Sequence, residues 1–504
     1  MASPVNMRPG GPRRRYRGAL SLWLTLAAVP VTAQVTPLTS QAVFYYRPPN
    51  AYANYLAAVG GLIYTDNVGR TPHGAGETVL LAGLSGDTAR EGTRLDYRLS
   101  SNVAVLKYLG GSFPTEPTGF LDGKVVLKFV PGFFSWIARD TYSQVVINPY
   151  LPVTPDNLVG LNFITTGPRV TLRPTLRTSV KLDALYSYVT SSSAAAHYTN
   201  FDSHRYGGDL KIDRAFSESA SLYLKGHYER VEFKDEVNNN FSIGEAVGGY
   251  QLTDGRTVFD LSGGYSQLRV YDVLSTVAGP GGTRETVTTE KFEEPIWKVD
   301  LSRLITPSQR LAIHASEQFT DAATSFRLGF DQPVPTFAPI VGLAISNPFK
   351  LRRYMLDWHF HAPRTTVSVT LVESRSRYLL TSDHDYNAKG AYVRLTRILS
   401  PVLTWDIGGG FQYNKQIGVP SANGGPPVVA GQTSKVYGVV TDLRWQVGSR
   451  LSLRFIYAHS EQSGAYTDNQ IGVTADWALL GAQASVTPPP PALSPISPAS
   501  TRSP

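Results

Sequence analysis

The stretch Ala220-Ser221-Leu222-Tyr223-Leu224-Lys225-Gly226-His227-Tyr228 decides the fold class. On an extended chain Ala220, Leu222, Leu224, Gly226 and Tyr228 share one face, while Ser221, Tyr223, Lys225 and His227 share the other. The beat returns in Phe259, Leu261, Gly263 and Tyr265 against Asp260, Ser262, Gly264 and Ser266. It returns again in Leu451, Leu453, Phe455 and Tyr457 against Ser452 and Arg454. A period of two means strands with one apolar and one polar face. The pattern runs from Tyr52 to Leu479 without a long helical segment. It predicts an all-β fold, a transmembrane antiparallel up-and-down β-barrel with an apolar outside and a wet inside.

The bulk composition agrees. A soluble chain of 504 residues would divide into several domains with separate cores. Here only 17% of residues are charged, 11% are aromatic and 45 are glycine. That mixture suits strands facing lipid, with glycines where strands bend or crowd. The absence of cysteine excludes a disulfide framework, a thiolate metal site and a cysteine nucleophile.

Arg8, Arg13, Arg14, Arg15 and Arg17 precede an apolar run from Ala19 to Val31 and the small-residue end Val31-Thr32-Ala33. This is the layout of a cleaved secretory signal over residues 1–33, too short to span a bilayer. Without those five arginines the formal charge falls from +8 to +3, so the basicity belongs to the leader and a nucleic-acid partner loses its support. Residues 34–51 follow as a periplasmic segment, 52–480 as the barrel, and 481–504 as a proline-rich tail outside it.

Tight-turn signals punctuate the strands at Asp87-Thr88-Ala89, Val130-Pro131-Gly132, Arg173-Pro174, Phe216-Ser217-Glu218 and Thr253-Asp254-Gly255. They continue at Thr306-Pro307-Ser308, Ala362-Pro363-Arg364, Ser400-Pro401 and Val447-Gly448-Ser449. Longer polar connections lie between them, among them residues 67–76, 148–165, 271–285 and 415–431. Short turns on one side and long loops on the other mark an outer-membrane barrel of a Gram-negative cell, with the short side periplasmic. The count implies about 20 strands, within a range of about 18–22. One segment breaks the rhythm: residues 324–348 are largely uncharged after Asp331, and Phe337, Ile340, Leu343 and Ile345 lie in its apolar part. An ordered surface excursion is the favoured reading, beside an extra hairpin or a constriction folded into the lumen.

The alternation places Lys181, Asp183, Lys225, His227, Glu229, Asp260, Asp406, Asp442, Arg444 and Arg454 on the inner wall. There they would set the field felt by a solute, or simply be solvated wall groups. His359 and His361 share a strand face, as two metal ligands would, but with no nearby carboxylate or third histidine no metal site is expected. No nucleophile elbow surrounds a serine, so no catalytic residue is assigned. Gly408-Gly409-Gly410 and the glycines at 279–282 lack phosphate-loop spacing, and no cofactor is implied. Tyr186, Tyr188, Trp405, Tyr413, Trp445 and Tyr457 fit interfacial girdles, while an inward aromatic such as Tyr223 is a candidate for glycan contact.

Thr65-Asp66-Asn67-Val68, Leu121-Asp122-Gly123 with Val130-Pro131-Gly132-Phe133-Phe134, and Ser143-Gln144-Val145-Val146-Ile147 form a recognisable series. Arg353, Ala362-Pro363-Arg364-Thr365 and Glu373-Ser374-Arg375 complete it. Over residues 52–477 the chain resembles the outer-membrane β-barrel proteins of exopolysaccharide loci associated with the PEP-CTERM/exosortase system, within a broader porin group. The resemblance implies a non-enzymatic barrel linked to surface polysaccharide export or protein sorting, with no catalytic residues. Expected partners are outer-membrane lipid, the barrel-assembly machinery, and polysaccharide or export-locus proteins. The leading reading is a channel. The alternatives are a sheath around a separate multihaem cytochrome, a structural scaffold, and a barrel hydrolase with its site at the rim.

Overall fold

The computed structural model describes residues 54–148, 150–192, 201–234, 240–279, 282–325, 346–380, 384–417 and 432–480. The leader, the proline-rich tail and the constriction candidates Phe337, Ile340, Leu343 and Ile345 lie outside the described residues. The strands begin with β1 (Tyr55–Thr65), β2 (Glu77–Arg90), β3 (Leu95–Tyr108), β4 (Glu116–Val130) and β5 (Phe134–Val146). Next come β6 (Leu158–Thr175), β7 (Thr178–Ser192), β8 (Ser203–Ala215), β9 (Ala220–Phe233) and β10 (Phe241–Thr253). Then follow β11 (Thr257–Gly279), β12 (Gly282–Thr306), β13 (Gln309–Thr320), β14 (Phe349–Ala362) and β15 (Thr365–Tyr378). The last are β16 (Tyr386–Ser400), β17 (Leu403–Gln416), β18 (Thr433–Gln446), β19 (Leu451–Gln462) and β20 (Tyr466–Leu480).

Each strand pairs antiparallel with the next, and β1 pairs with β20 from Leu56↔Leu480 to Thr65↔Gln470. The sheet is a closed 20-stranded barrel. Closure follows from the backbone: every N–H and C=O at membrane depth needs a partner that lipid cannot supply. Seven of the nine short-turn signals fall where strands reverse. The other two are corrected. Asp87-Thr88-Ala89 continues β2, because β-branched Thr88 extends readily and the reversal waits for Gly92, whose N–H donates to Asp96 Oδ1 at 3.0 Å. Arg173-Pro174 lies inside β6 at the irregularity between Leu172 and Thr175, where a proline removes no ladder bond.

Two long connections are also shorter than expected. The connection over 148–165 shrinks to residues 147–157, because β6 starts at Leu158. Residues 271–279 and 282–285, with their Val and Thr residues, extend β11 and β12 as a paired ribbon up to Gly279↔Gly282.

Alternation separates the two faces. Along β14, Phe349, Leu351, Arg353, Met355, Asp357 and His359 are buried, while Arg352, Tyr354 and Leu356 are exposed. On the outside Leu224 is 64% exposed and Val393 is 50% exposed, which in water would be a defect and in lipid is a band. The inner face is not uniformly polar, as the sequence pattern implied. Ile63, Val79, Leu81, Leu106, Met355, Val372 and Tyr386 form a buried apolar band on it, with Leu106 and Tyr386 only 1% exposed.

The faces make a direct prediction. Val393 faces outward at the middle of β16, one residue before the inward Arg394. Val393→Arg should lower unfolding free energy in lipid vesicles by about 2–4 kcal/mol, read from denaturant midpoints at constant slope.

Candidate functional site in the lumen and at its extracellular mouth

The inward charges lie mainly in the half of each strand nearest the short turns, and most of them are paired across strands. Arg169 on β6 faces Asp183 on β7 with Nη2 to Oδ2 at 2.5 Å. Lys225 and His227 on β9 both reach Asp209 on β8, at 3.2 and 3.1 Å. Lys298 on β12 bridges Asp300 at 2.5 Å and Asp260 at 3.5 Å, while His314 also pairs with Asp300. Arg394 holds Asp406 at 2.8 Å, and Arg454 holds Asp442 at 3.1 Å. Lys181 sits within the electrostatic reach of Asp183 and Asp213, and Arg444 within that of Asp442. Glu229 stands apart, higher on β9, at 3.9 Å from Arg205. Eight of the ten sequence candidates have an ion-pair partner within 4 Å.

The Tyr223 ring is not a free platform for a glycan. It lies against Gly249, its direct partner on the next strand, where an added Cβ would come within 2.2 Å of ring carbon Cζ. Lys211 covers the ring at 4.4 Å from its centroid, and the hydroxyl donates to Asp260 at 2.8 Å. Tyr392 repeats the device on β16, covering Gly410 of β17, its register partner. Tyrosine on one strand fills the gap left by glycine on the next, the same aromatic cover that rescues glycines in sheets.

His359 does have a carboxylate beside it, contrary to the sequence reading: Asp357, two residues earlier on the same inward face, pairs with its Nε2. Asp357 also accepts from Thr370 Oγ1 at 2.7 Å. Among the described residues no group of three or more His, Cys, Asp or Glu side chains is placed to hold a metal ion.

At the long-loop end the sequence reading missed the main construction. Residues 150–157 fold back into the mouth around the buried Asn157 side chain. Its Nδ2 donates to the carbonyls of Asn148 at 2.9 Å, Leu151 at 3.3 Å and Pro152 at 3.0 Å. Its Oδ1 accepts the Asn148 N–H at 2.8 Å. Pro152 and Pro155 lack an N–H, so this loop has fewer donors to satisfy, and one asparagine ties its carbonyls together.

The loop then reaches two distant walls. The Tyr150 carbonyl accepts from Gln462 of β19 at 2.8 Å. The Val153 carbonyl accepts from Arg70, which lies between β1 and β2, at 3.3 Å. Arg70 is itself fully buried at a φ of 49°, a conformation few non-glycine residues hold. Its Nε donates to Asp468 Oδ2 at 3.2 Å and its guanidinium lies over the Tyr466 ring. Thr65 and Gln470 complete the Asp468 carboxylate, each at 2.6 Å. Asp66 and Asn67 bind the same seam: Asp66 accepts from Asn469 twice at 2.7 Å, and Asn67 Nδ2 donates to the Thr467 carbonyl at 2.9 Å.

A second anchor stands across the mouth. Arg205 of β8 grips Asp321, just past β13, with Nη1 to Oδ1 at 3.1 Å and Nη2 to Oδ2 at 2.7 Å. The same guanidinium donates to Thr324 Oγ1 at 2.8 Å and covers the Phe163 ring. It fixes a helical turn over residues 322–325, whose Ala322 and Ala323 pack on Phe163, Val189, Phe349 and Leu351 inside the wall. Burial alone would raise the Asp321 carboxyl; the facing Arg205 reverses this and holds it below the usual carboxylate range. That contribution is present above the unfolded carboxylate value and is lost as pH falls through the lower folded one.

The ladder has no free edge, the exposed outer band carries Leu, Val, Trp and Tyr, and the charges pair inside. The chain is an outer-membrane β-barrel. No family model matches it, and no curated protein does. The barrel is similar to solved structures of large outer-membrane proteins. An iron transporter of Neisseria meningitidis aligns over 85% of this chain and 81% of its own at 9% identity, TM-score 0.46. The siderophore receptor of Pseudomonas aeruginosa aligns over 86% and 81% at 9% identity, TM-score 0.44. The ferric yersiniabactin uptake receptor of Yersinia pestis aligns over 86% and 81% at 10% identity, TM-score 0.38. Likeness at this level says nothing of what this barrel carries.

Two substitutions test the mouth. Asn157→Ala should release the loop while leaving the strands intact: amide exchange over residues 150–157 rises at least tenfold, and stability falls by about 1–3 kcal/mol. Arg205→Met strands the buried Asp321 carboxylate and should cost about 3–5 kcal/mol in denaturant unfolding.

Proposed function

We propose that this barrel is a non-enzymatic outer-membrane channel for a polar solute, narrowed at its extracellular mouth and serving surface polysaccharide export. One observation carries the channel reading. The side chains of Lys225 and Lys298 point into the lumen yet remain 40% and 41% exposed, so water reaches the inner wall on the periplasmic side. Ammonium groups at that depth are stable only against water or carboxylates, and here they have both. A solute entering from the periplasm meets alternating acidic and basic groups from β6 round to β19, a field that favours a hydrated, polar molecule. Above that wall the loop over 150–157 and the turn over 322–325 reduce the mouth. The export role rests on the resemblance of Thr65 to Val68, Val130 to Phe134 and Glu373 to Arg375 to exopolysaccharide-locus barrels.

Single-channel recording of the refolded full chain in planar bilayers tests the passage. A small steady conductance is expected, rising several-fold in Asn157→Ala. A barrel that stays silent in both forms overturns the channel reading. Deletion of the gene in its native host should reduce surface polysaccharide, and an unchanged yield removes the export role while leaving the channel intact.

A further inference from the structure

Arg353 lies on the inner face of β14, in the half nearest the extracellular mouth, and is 5% exposed. Every other fully or nearly buried guanidinium discussed above faces a carboxylate: Arg70 has Asp468 and Arg205 has Asp321. Arg353 does not. Among the described residues no carboxylate pairs with it, its Nε has no hydrogen-bond partner, and the group that it interacts with electrostatically is the Tyr386 phenol. Leu351 and Phe349 lie above it on the same strand, and Met355 lies below, so apolar side chains bound it along β14. Its register neighbours are small: Ser316 on β13 and Ser374 on β15.

The surrounding hydroxyls gather beside it. Ser374 Oγ, Ser376 Oγ and Tyr386 Oη are buried together, Tyr386 lies within hydrogen-bonding reach of both serines, and Ser376 is its direct register partner. From the opposite side the mouth loop brings Tyr150, whose buried hydroxyl is unpaired and lies within electrostatic reach of Tyr386. A lone guanidinium in an apolar wall is costly, and buried polar groups are normally satisfied. A buried guanidinium ringed by four buried hydroxyls lacks a counter-charge, and a multidentate acceptor carrying negative charge would supply it.

We propose that Arg353, with Ser374, Ser376, Tyr386 and Tyr150, forms a binding site for an oxyanion group, a carboxylate or a sulfate, beneath the extracellular loop. A planar or tetrahedral oxyanion offers two oxygens to the guanidinium fork and further lone pairs to the hydroxyls. The inference does not depend on solute passage, since the site would bind its anion in a silent barrel too.

The test uses the full-length barrel in detergent, with thermal unfolding followed in sodium sulfate, sodium acetate and sodium chloride at matched ionic strength. Sulfate or acetate should raise the melting temperature of the wild type by several degrees with saturation, and chloride should not. Arg353→Met should abolish that shift, and Arg353→Lys should weaken the apparent affinity about tenfold by losing the fork. Sulfate acting without acetate identifies a tetrahedral group, and acetate without sulfate a carboxylate. Equal shifts in all three salts, or an unchanged sulfate and acetate response in Arg353→Met, overturn the proposal. Should Arg353→Met fail to fold, judged by heat-modifiable gel mobility, the doubly substituted Ser374→Ala, Tyr386→Phe barrel replaces it. That variant keeps the cation and should bind several-fold more weakly; unaltered affinity there also overturns the site.

Discussion

The pairing of β1 with β20 is the constraint on which everything else depends. A sheet in lipid cannot end, because an edge would leave a row of amides and carbonyls with neither water nor protein to bond. Closing the ladder turns twenty marginal strands into one object with an inside and an outside. The alternation in each strand then acquires a meaning: residues that are register partners on neighbouring strands meet lipid, or the lumen, together. The charged wall, the tyrosine–glycine pairs and the mouth anchors all exist in the space that this one seam encloses.

The inner charges hold one another rather than wait for a visitor. Asp209, Asp406 and Asp442 each face a cation across the ladder and Asp300 holds Lys298 of its own strand, which balances acid against base along the wall. Such a wall restrains the strands and wets the bore at the same time, whereas the mouth is drier and built on single deeply buried contacts. Asn157, Arg70 and Arg205 each gather segments remote in sequence, and each does so through a planar group with several donors.

The barrel was readable from the sequence because a period of two survives translation into structure residue by residue. Leu222 and Leu224 face out and Tyr223 and Lys225 face in, as Ala220 to Tyr228 spelled. The inner positions of Asp183, Asp260 and Arg454 follow from the same parity. The mouth was not readable. Asn157 lies in a stretch of prolines and polar residues that any surface loop could carry, and its partners are backbone carbonyls with no sequence signature. Arg70 and Asp468 are 398 residues apart, a distance that no local pattern spans. Asp357 could have been found, since it sits two positions before His359 and shares its face. The turn at 91–94 was misplaced because Thr88 was weighed as a turn residue rather than as a β-branched one.

The Arg70 contact ties the timing of two events. Its guanidinium can meet Asp468 only after the last strand has reached the first, and only then is it placed to receive the Val153 carbonyl. The cap over the lumen therefore depends on completion of the cylinder, because a half-zipped intermediate offers it no landing point. Maturation and narrowing of the mouth become one step, and a stalled precursor would gape where the finished protein is restricted.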